Sequence, residues 1–107
     1  MNPRRPLTLI YAPEVTEHLK TIEAKYYSLI RREIERQLRF EPDVETKNRK
    51  PLKQPATFET AWEIRFGPEN RFRVFYEVDR KSHKVFILAI GRKEGNRLFI
   101  AGEEFDL

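Results

Sequence analysis

The sequence contains no cysteine among its 107 residues. Disulfide frameworks and thiolate metal sites are therefore excluded, and a reducing cytoplasm is the natural setting. Long apolar runs are missing as well. The longest, Val85 to Ile90, is far too short to span a bilayer, and Leu7 to Ile10 is too brief for a signal-peptide core before Pro13 interrupts it. There are only two histidines, and neither falls in a metal-ligand spacing, so no metal or cofactor is expected. His18 is expected on the exposed flank of a helix, and His83 in a lysine-rich turn. Repeats, linkers and low-complexity tracts are absent too, which leaves one domain spanning 1–107.

What is present is charge. Charged residues make up 36% of the chain against 39% hydrophobic, a balance that suits a small, highly charged globular domain. The net charge of +4 and pI of about 9.5 favour a polyanionic or acidic partner only mildly. Local clustering is more informative. Lys47, Arg49, Lys50 and Lys53 crowd one short segment, whereas Glu103, Glu104 and Asp106 lie near the other end of the sequence.

Residues 7–11 read as a short strand. Pro13 is a favoured opening for a helix, because proline lacks the amide hydrogen that would be unpaired there anyway. Val15, Leu19 and Ile22 then share one helical face, and Tyr27, Ile30, Ile34 and Leu38 repeat the spacing in a second helix that ends before Pro42. From Asp43 to Phe58 the chain reads as an extended loop. Trp62 to Phe66 and Arg71 to Asp79 alternate apolar and charged residues around Gly67-Pro68-Glu69-Asn70, the pattern of a half-buried hairpin. Lys84 to Gly91 is apolar at nearly every position and reads as a central strand covered on both sides. The expected fold is α+β: two N-terminal helices packed on one face of a small, mainly antiparallel twisted sheet, in the order β-α-α-β-β-β.

Alternation places Glu63, Arg65 and Arg73 together on the hairpin face away from the helices, floored as a concave, partly open surface. Arginine suits phosphate because its planar fork donates two parallel hydrogen bonds, and a glutamate beside it could move a proton. Lys93 joins this group from the loop after the central strand. From spacing alone, cross-strand ion pairing, worth roughly 0.2–1 kcal/mol per pair, explains the same residues better. Phe75 shares that face and either stacks on a base or sits under a loop. The Lys47–Lys53 segment either neutralises backbone phosphates or is a solvated loop.

In Asn48-Arg49-Lys50-Pro51-Leu52, Trp62-Glu63-Ile64-Arg65, Arg71 to Val78 and Ile90-Gly91-Arg92-Lys93, the chain resembles the RelE/ParE superfamily of toxins from bacterial type II toxin–antitoxin systems. The resemblance implies a microbial-RNase-like fold, a cytoplasmic location, a cognate antitoxin that binds the toxin, and a possible hetero-oligomer with it. In the RelE branch it implies ribosome-dependent cleavage of messenger RNA, with no membrane partner. Arg73 matches an arginine of that branch, Arg65 stands for a lysine, and Lys93 for an arginine; these would be catalytic, with Glu63 as a base. Lys47, Arg49, Lys50, Lys53, Arg92 and Phe99 would contact RNA. Glu63 replaces a lysine, and Phe99 stands near a tyrosine that stacks on the substrate base. The departures leave two other readings: a ParE-like poison of DNA gyrase that acts by binding, or an inactive homologue that only binds antitoxin.

Overall fold

Apolar residues recur at every second position in the C-terminal half and at every third or fourth near the N-terminus, and the chain folds accordingly. The computed structural model describes residues 5–52 and 61–105. Within them the order is β1 (Thr8–Tyr11), α1 (Val15–Lys20), a single 3₁₀ turn, α2 (Tyr27–Leu38), β2 (Arg49–Pro51), β3 (Trp62–Phe66), β4 (Phe72–Asp79), β5 (Lys84–Glu94), β6 (Arg97–Ile100) and β7 (Glu103–Phe105). The expected α+β architecture stands, with three more strands than the sequence suggested. β2 lies inside the stretch expected to be loop, and β6 and β7 complete the C-terminal segment.

The strands form one sheet in the order β2-β3-β4-β5-β6-β7, every neighbouring pair antiparallel, while β1 runs parallel to β5. β5 is long enough to take two partners along one edge. Its first half pairs with β1 through Lys84–Ile87, and its last residues, Arg92–Glu94, pair with β6. Between them the edge has a gap. Leu88 is an extra residue there, since Phe75 pairs with Ala89 and Tyr76 with Ile87, and this bulge exchanges the faces of β5.

Each helix buries one stripe. Ile30, Ile34 and Leu38, four residues apart, pack with Val15, Ile22, Ile64, Val74, Tyr76 and Ile87 in the main core. Arg31–Glu35 and Arg36–Glu33 pair on the wet side of α2, contacts worth only about 0.3–0.5 kcal/mol each. Tyr76 is fully buried; burial pushes its hydroxyl well above the ordinary value, so it stays protonated and donates to the Pro42 carbonyl at 2.6 Å. Among the described residues no helix is long and apolar enough to cross a membrane.

His18 departs from expectation. It is buried rather than exposed, and its Nδ1 accepts the Ile90 amide at 3.2 Å. The reason is the gap on β5: Ile90 lies after β1 has ended and before β6 begins, so its N–H takes a side-chain acceptor from α1 in place of a strand. Burial lowers the imidazole pKa, with Glu14 opposing.

Candidate functional site

Strand pairing assembles the site. Arg65 of β3 lies opposite Arg73 of β4, and Arg73 opposite Gly91 of β5. Lys50 of β2 lies opposite Glu63, which lies opposite Phe75. Directly paired residues share a face, so Lys50, Glu63, Arg65 and Arg73 stand together on the side away from the helices, as alternation requires.

That face is not open at its centre, which corrects the expected hollow. Glu63 and Arg73 are only 4% and 5% exposed. Arg73 Nη1 donates to Glu63 Oε1 at 3.3 Å, and Arg73 Nε donates to the Asn70 carbonyl at 3.4 Å. Beside them Phe75, Ala89, Leu98 and Ile100 form a second apolar cluster, with Leu52 and Phe105 packed against it. The cover comes from β6, and Gly91 permits it. A Cβ at residue 91 would stand 2.7 Å from the Phe99 carbonyl and 2.9 Å from Ile100 Cγ1, so only glycine lets β6 approach so closely. Gly91 therefore serves close packing.

Glu63 is shared. Arg65 Nε stands 3.5 Å from the same Oε1 that Arg73 engages, at ion-pairing distance but outside hydrogen-bond geometry, and that Nε is buried without a hydrogen-bond partner among the described residues. Arg65 differs from the other two in exposure, with 29% of its side chain reaching solvent. Burial pushes the Arg73 guanidinium below its usual value; Glu63 opposes the shift and Arg65 adds to it. Arginine remains charged throughout. The unit is a buried carboxylate held between two guanidiniums, one sealed in and one reaching out.

The other candidate residues divide. Lys47 and Lys50 are exposed on the approach to β3. Arg49 is not available to RNA: it faces the core opposite Ile64, is 8% exposed, and spends its guanidinium on three backbone carbonyls, Glu41 at 2.6 Å, Gln37 at 3.0 Å and Val44 at 3.1 Å. The physical reason is strand parity, since 49 and 50 must point to opposite faces. Lys53 lies outside the described residues. Lys93 is half-buried and on the Arg73 side of β5, pairing with Leu98. Arg92 and Phe99 pair on the opposite face, toward the helices, where the guanidinium sits over the ring at 5.4 Å and forms an ion pair with Glu94. They are therefore separated from Arg65 and Arg73 by the thickness of the sheet. Phe75 is buried under β6 instead of offering a stacking surface. Among the described residues no three carboxylate or histidine side chains group as metal ligands.

No family model and no curated protein matches the sequence. A search of solved structures finds a chain of the toxin–antitoxin complex RelBE2 from Mycobacterium tuberculosis, with a TM-score of 0.66 over 87% of this chain and 98% of the matched one, at 17% identity. The fold is RelE-like. At that identity the RelE-like likeness speaks for the backbone arrangement alone. Lys50 was the residue undervalued in the sequence: its place opposite Glu63 follows only once residues 49–51 are known to be a strand of the RelE-like sheet.

Proposed function

We propose that this chain is the toxin of a toxin–antitoxin pair and that it acts on messenger RNA at the ribosome through the Lys50, Glu63, Arg65, Arg73 face. The observation that carries this reading is the partly exposed Arg65 side chain, propped against a buried Glu63–Arg73 pair on a RelE-like sheet. Arg65 meets the RNA phosphate, Lys47 and Lys50 draw the backbone toward it, and Lys93 adds charge from the end of β5. For cleavage, the 2′-hydroxyl attacks the adjacent phosphorus, its proton passes to a base, and the departing 5′ oxygen takes a proton from an acid. Arg65 stabilises the phosphorane between these steps. Arg73 acts as a positioning residue, because it is sealed from substrate. Glu63 fits the same role better than that of a base, since its carboxylate is buried and faces the two guanidiniums.

The test is induction of the chain in a bacterial host with transcript ends mapped. Growth arrest with new cleavage points, both lost in Arg65→Ala while thermal stability is kept, is expected. Arrest that persists in Arg65→Ala removes this face from the mechanism. The burial of Glu63 and Arg73 favours a second reading, a ParE-like poison of gyrase that acts by binding and needs no catalytic set. Arrest with intact transcripts and a DNA-damage response would establish it over the first.

A further inference from the structure

The turn between β3 and β4 is strained where it borders the charged face. Gly67, Glu69 and Asn70 all hold positive φ, at 83°, 55° and 53°. Glycine accepts that region freely and asparagine is tolerated there, but glutamate seldom enters it. Such conformations persist where the surrounding structure over-determines them, and they gather at binding sites and switches. Here the turn already serves the site on one side, since the Asn70 carbonyl accepts Arg73 Nε at 3.4 Å.

On its other side the same turn walls a cleft of about 510 Å³. Pro68, Glu69 and Arg71 line it from the turn, and Lys93, Glu94 and Gly95 from the end of β5 and the residue after it. The Lys93 amide donates to the Arg71 carbonyl at 2.7 Å, which ties the two walls together. Arg71 stands two residues before Arg73, and Lys93 two residues beyond Gly91, the cross-strand partner of Arg73. The cleft therefore opens at the end of the sheet where Arg65 and Arg73 stand, beyond them and not over them.

Charge identifies the occupant. Glu94 is taken by Arg92. Arg71, Lys93 and Glu69 have no ion pair among the described residues, so two uncommitted cations stand against one carboxylate. Arg71 and Lys93 are half-buried, whereas Glu69 is exposed and its charge is the better screened. A guanidinium fork beside an ammonium suits the oxygens of a phosphate. None of the lining residues is aromatic, so a base would find no ring to stack on.

We propose that this cleft is a second phosphate subsite, in which Arg71 and Lys93 hold a backbone phosphate of the RNA strand next to the one at Arg65. The inference rests on the reading of the Arg65 face as an RNA site and deepens it by fixing the path of the strand past the hairpin turn. Arg71 and Lys93 are positioning residues in this scheme: they set the register of the strand and leave the scissile phosphate to Arg65.

The experiment uses the full chain and a fluorescent single-stranded RNA made uncleavable by 2′-O-methylation. Affinity is measured by anisotropy over a range of salt. Because the cleft belongs to this chain alone, the contact is expected on free RNA. Arg71→Gln keeps the main-chain bond to Lys93, which uses the Arg71 carbonyl. Arg71→Gln and Lys93→Gln should each weaken binding at least threefold and make the slope of log affinity against log salt shallower by about 0.7. Lys84→Gln, which removes an exposed cation at the start of β5, should change neither. Replacing single phosphates by uncharged methylphosphonates then locates the contact: one linkage costs affinity in the parent chain and nothing in Arg71→Gln. An equal loss in Lys84→Gln overturns the subsite in favour of a general field. Weakened binding in Arg65→Ala, with parental affinity and slope in Arg71→Gln and Lys93→Gln, overturns the subsite and leaves the RNA face standing. Absence of RNA binding by the parent chain also overturns it, and transcript mapping with Arg65→Ala then judges the RNA reading on its own.

Discussion

Removing Arg73 tests whether the centre of the site is a sealed ion pair or an open cation. Arg73→Ala leaves the Glu63 carboxylate buried with Arg65 as its remaining ion-pair partner among the described residues, at 3.5 Å and outside hydrogen-bond geometry. Breaking a buried pair by deleting one partner costs about 3–5 kcal/mol. A domain of this size has about 5–15 kcal/mol in total, so the variant gives up roughly a fifth of its stability at the least and nearly all of it at the most. At roughly 4–8 °C per kcal/mol, the melting temperature falls by at least about 12 °C. Glu63→Ala is expected to cost more than Arg73→Ala, because it leaves two guanidiniums facing each other where Arg73→Ala leaves one carboxylate and one guanidinium. The double variant should be no worse than Glu63→Ala alone, a coupling of about 3 kcal/mol in a double-mutant cycle by urea denaturation. Costs that add to within about 0.5 kcal/mol would refute the pairing, as would an Arg73→Ala variant within about 1 kcal/mol of the parent. The same measurement matters for function: loss of toxicity in Arg73→Ala means little unless the protein is shown to stay folded.

Arg49→Ala should lower stability by about 3 kcal/mol or more in urea, since three charge-assisted hydrogen bonds to Glu41, Val44 and Gln37 carbonyls are lost; Arg49→Lys should recover less than half. An unaffected midpoint would return Arg49 to the pool of RNA-binding candidates. Gly91→Ala forces the β6 backbone away and should cost about 1–3 kcal/mol, with amide hydrogen exchange or proteolysis reporting a loosened C-terminal sheet; a silent substitution would show that β6 packs less closely. His18 supplies a pH dependence. Its folded pKa lies below the ordinary 6.5, so the unfolded chain binds the proton more readily; this contribution is complete above 6.5 and is lost as pH falls from there toward the folded value. His18→Gln keeps an acceptor for Ile90 and should flatten the stability profile in that window, which denaturation between pH 7 and 5 would reveal.

Much of the fold was legible because it depends on local periodicity. Ile30, Ile34 and Leu38 mark α2 by their spacing, and the alternation from Trp62 to Asp79 marks the hairpin and names the face of every residue on it. Arg49 was misjudged for a related reason. Its three-residue strand is too short to show a period, so its parity emerged only from pairing with β3. His18 was misjudged because the amide it serves lies 72 positions away on β5, at a gap that no local pattern announces.

The sequence by itself determined which side chains share a face: Glu63, Arg65 and Arg73 had to stand together, since a strand turns its residues over one at a time. Tertiary structure decided which of them meets solvent. That outcome depends on how the hairpin closes on itself: Arg73 turns inward to Glu63 and the Asn70 carbonyl and is 5% exposed, while 29% of the Arg65 side chain stays in solvent, a difference set by three-dimensional packing that alternation along a strand does not encode.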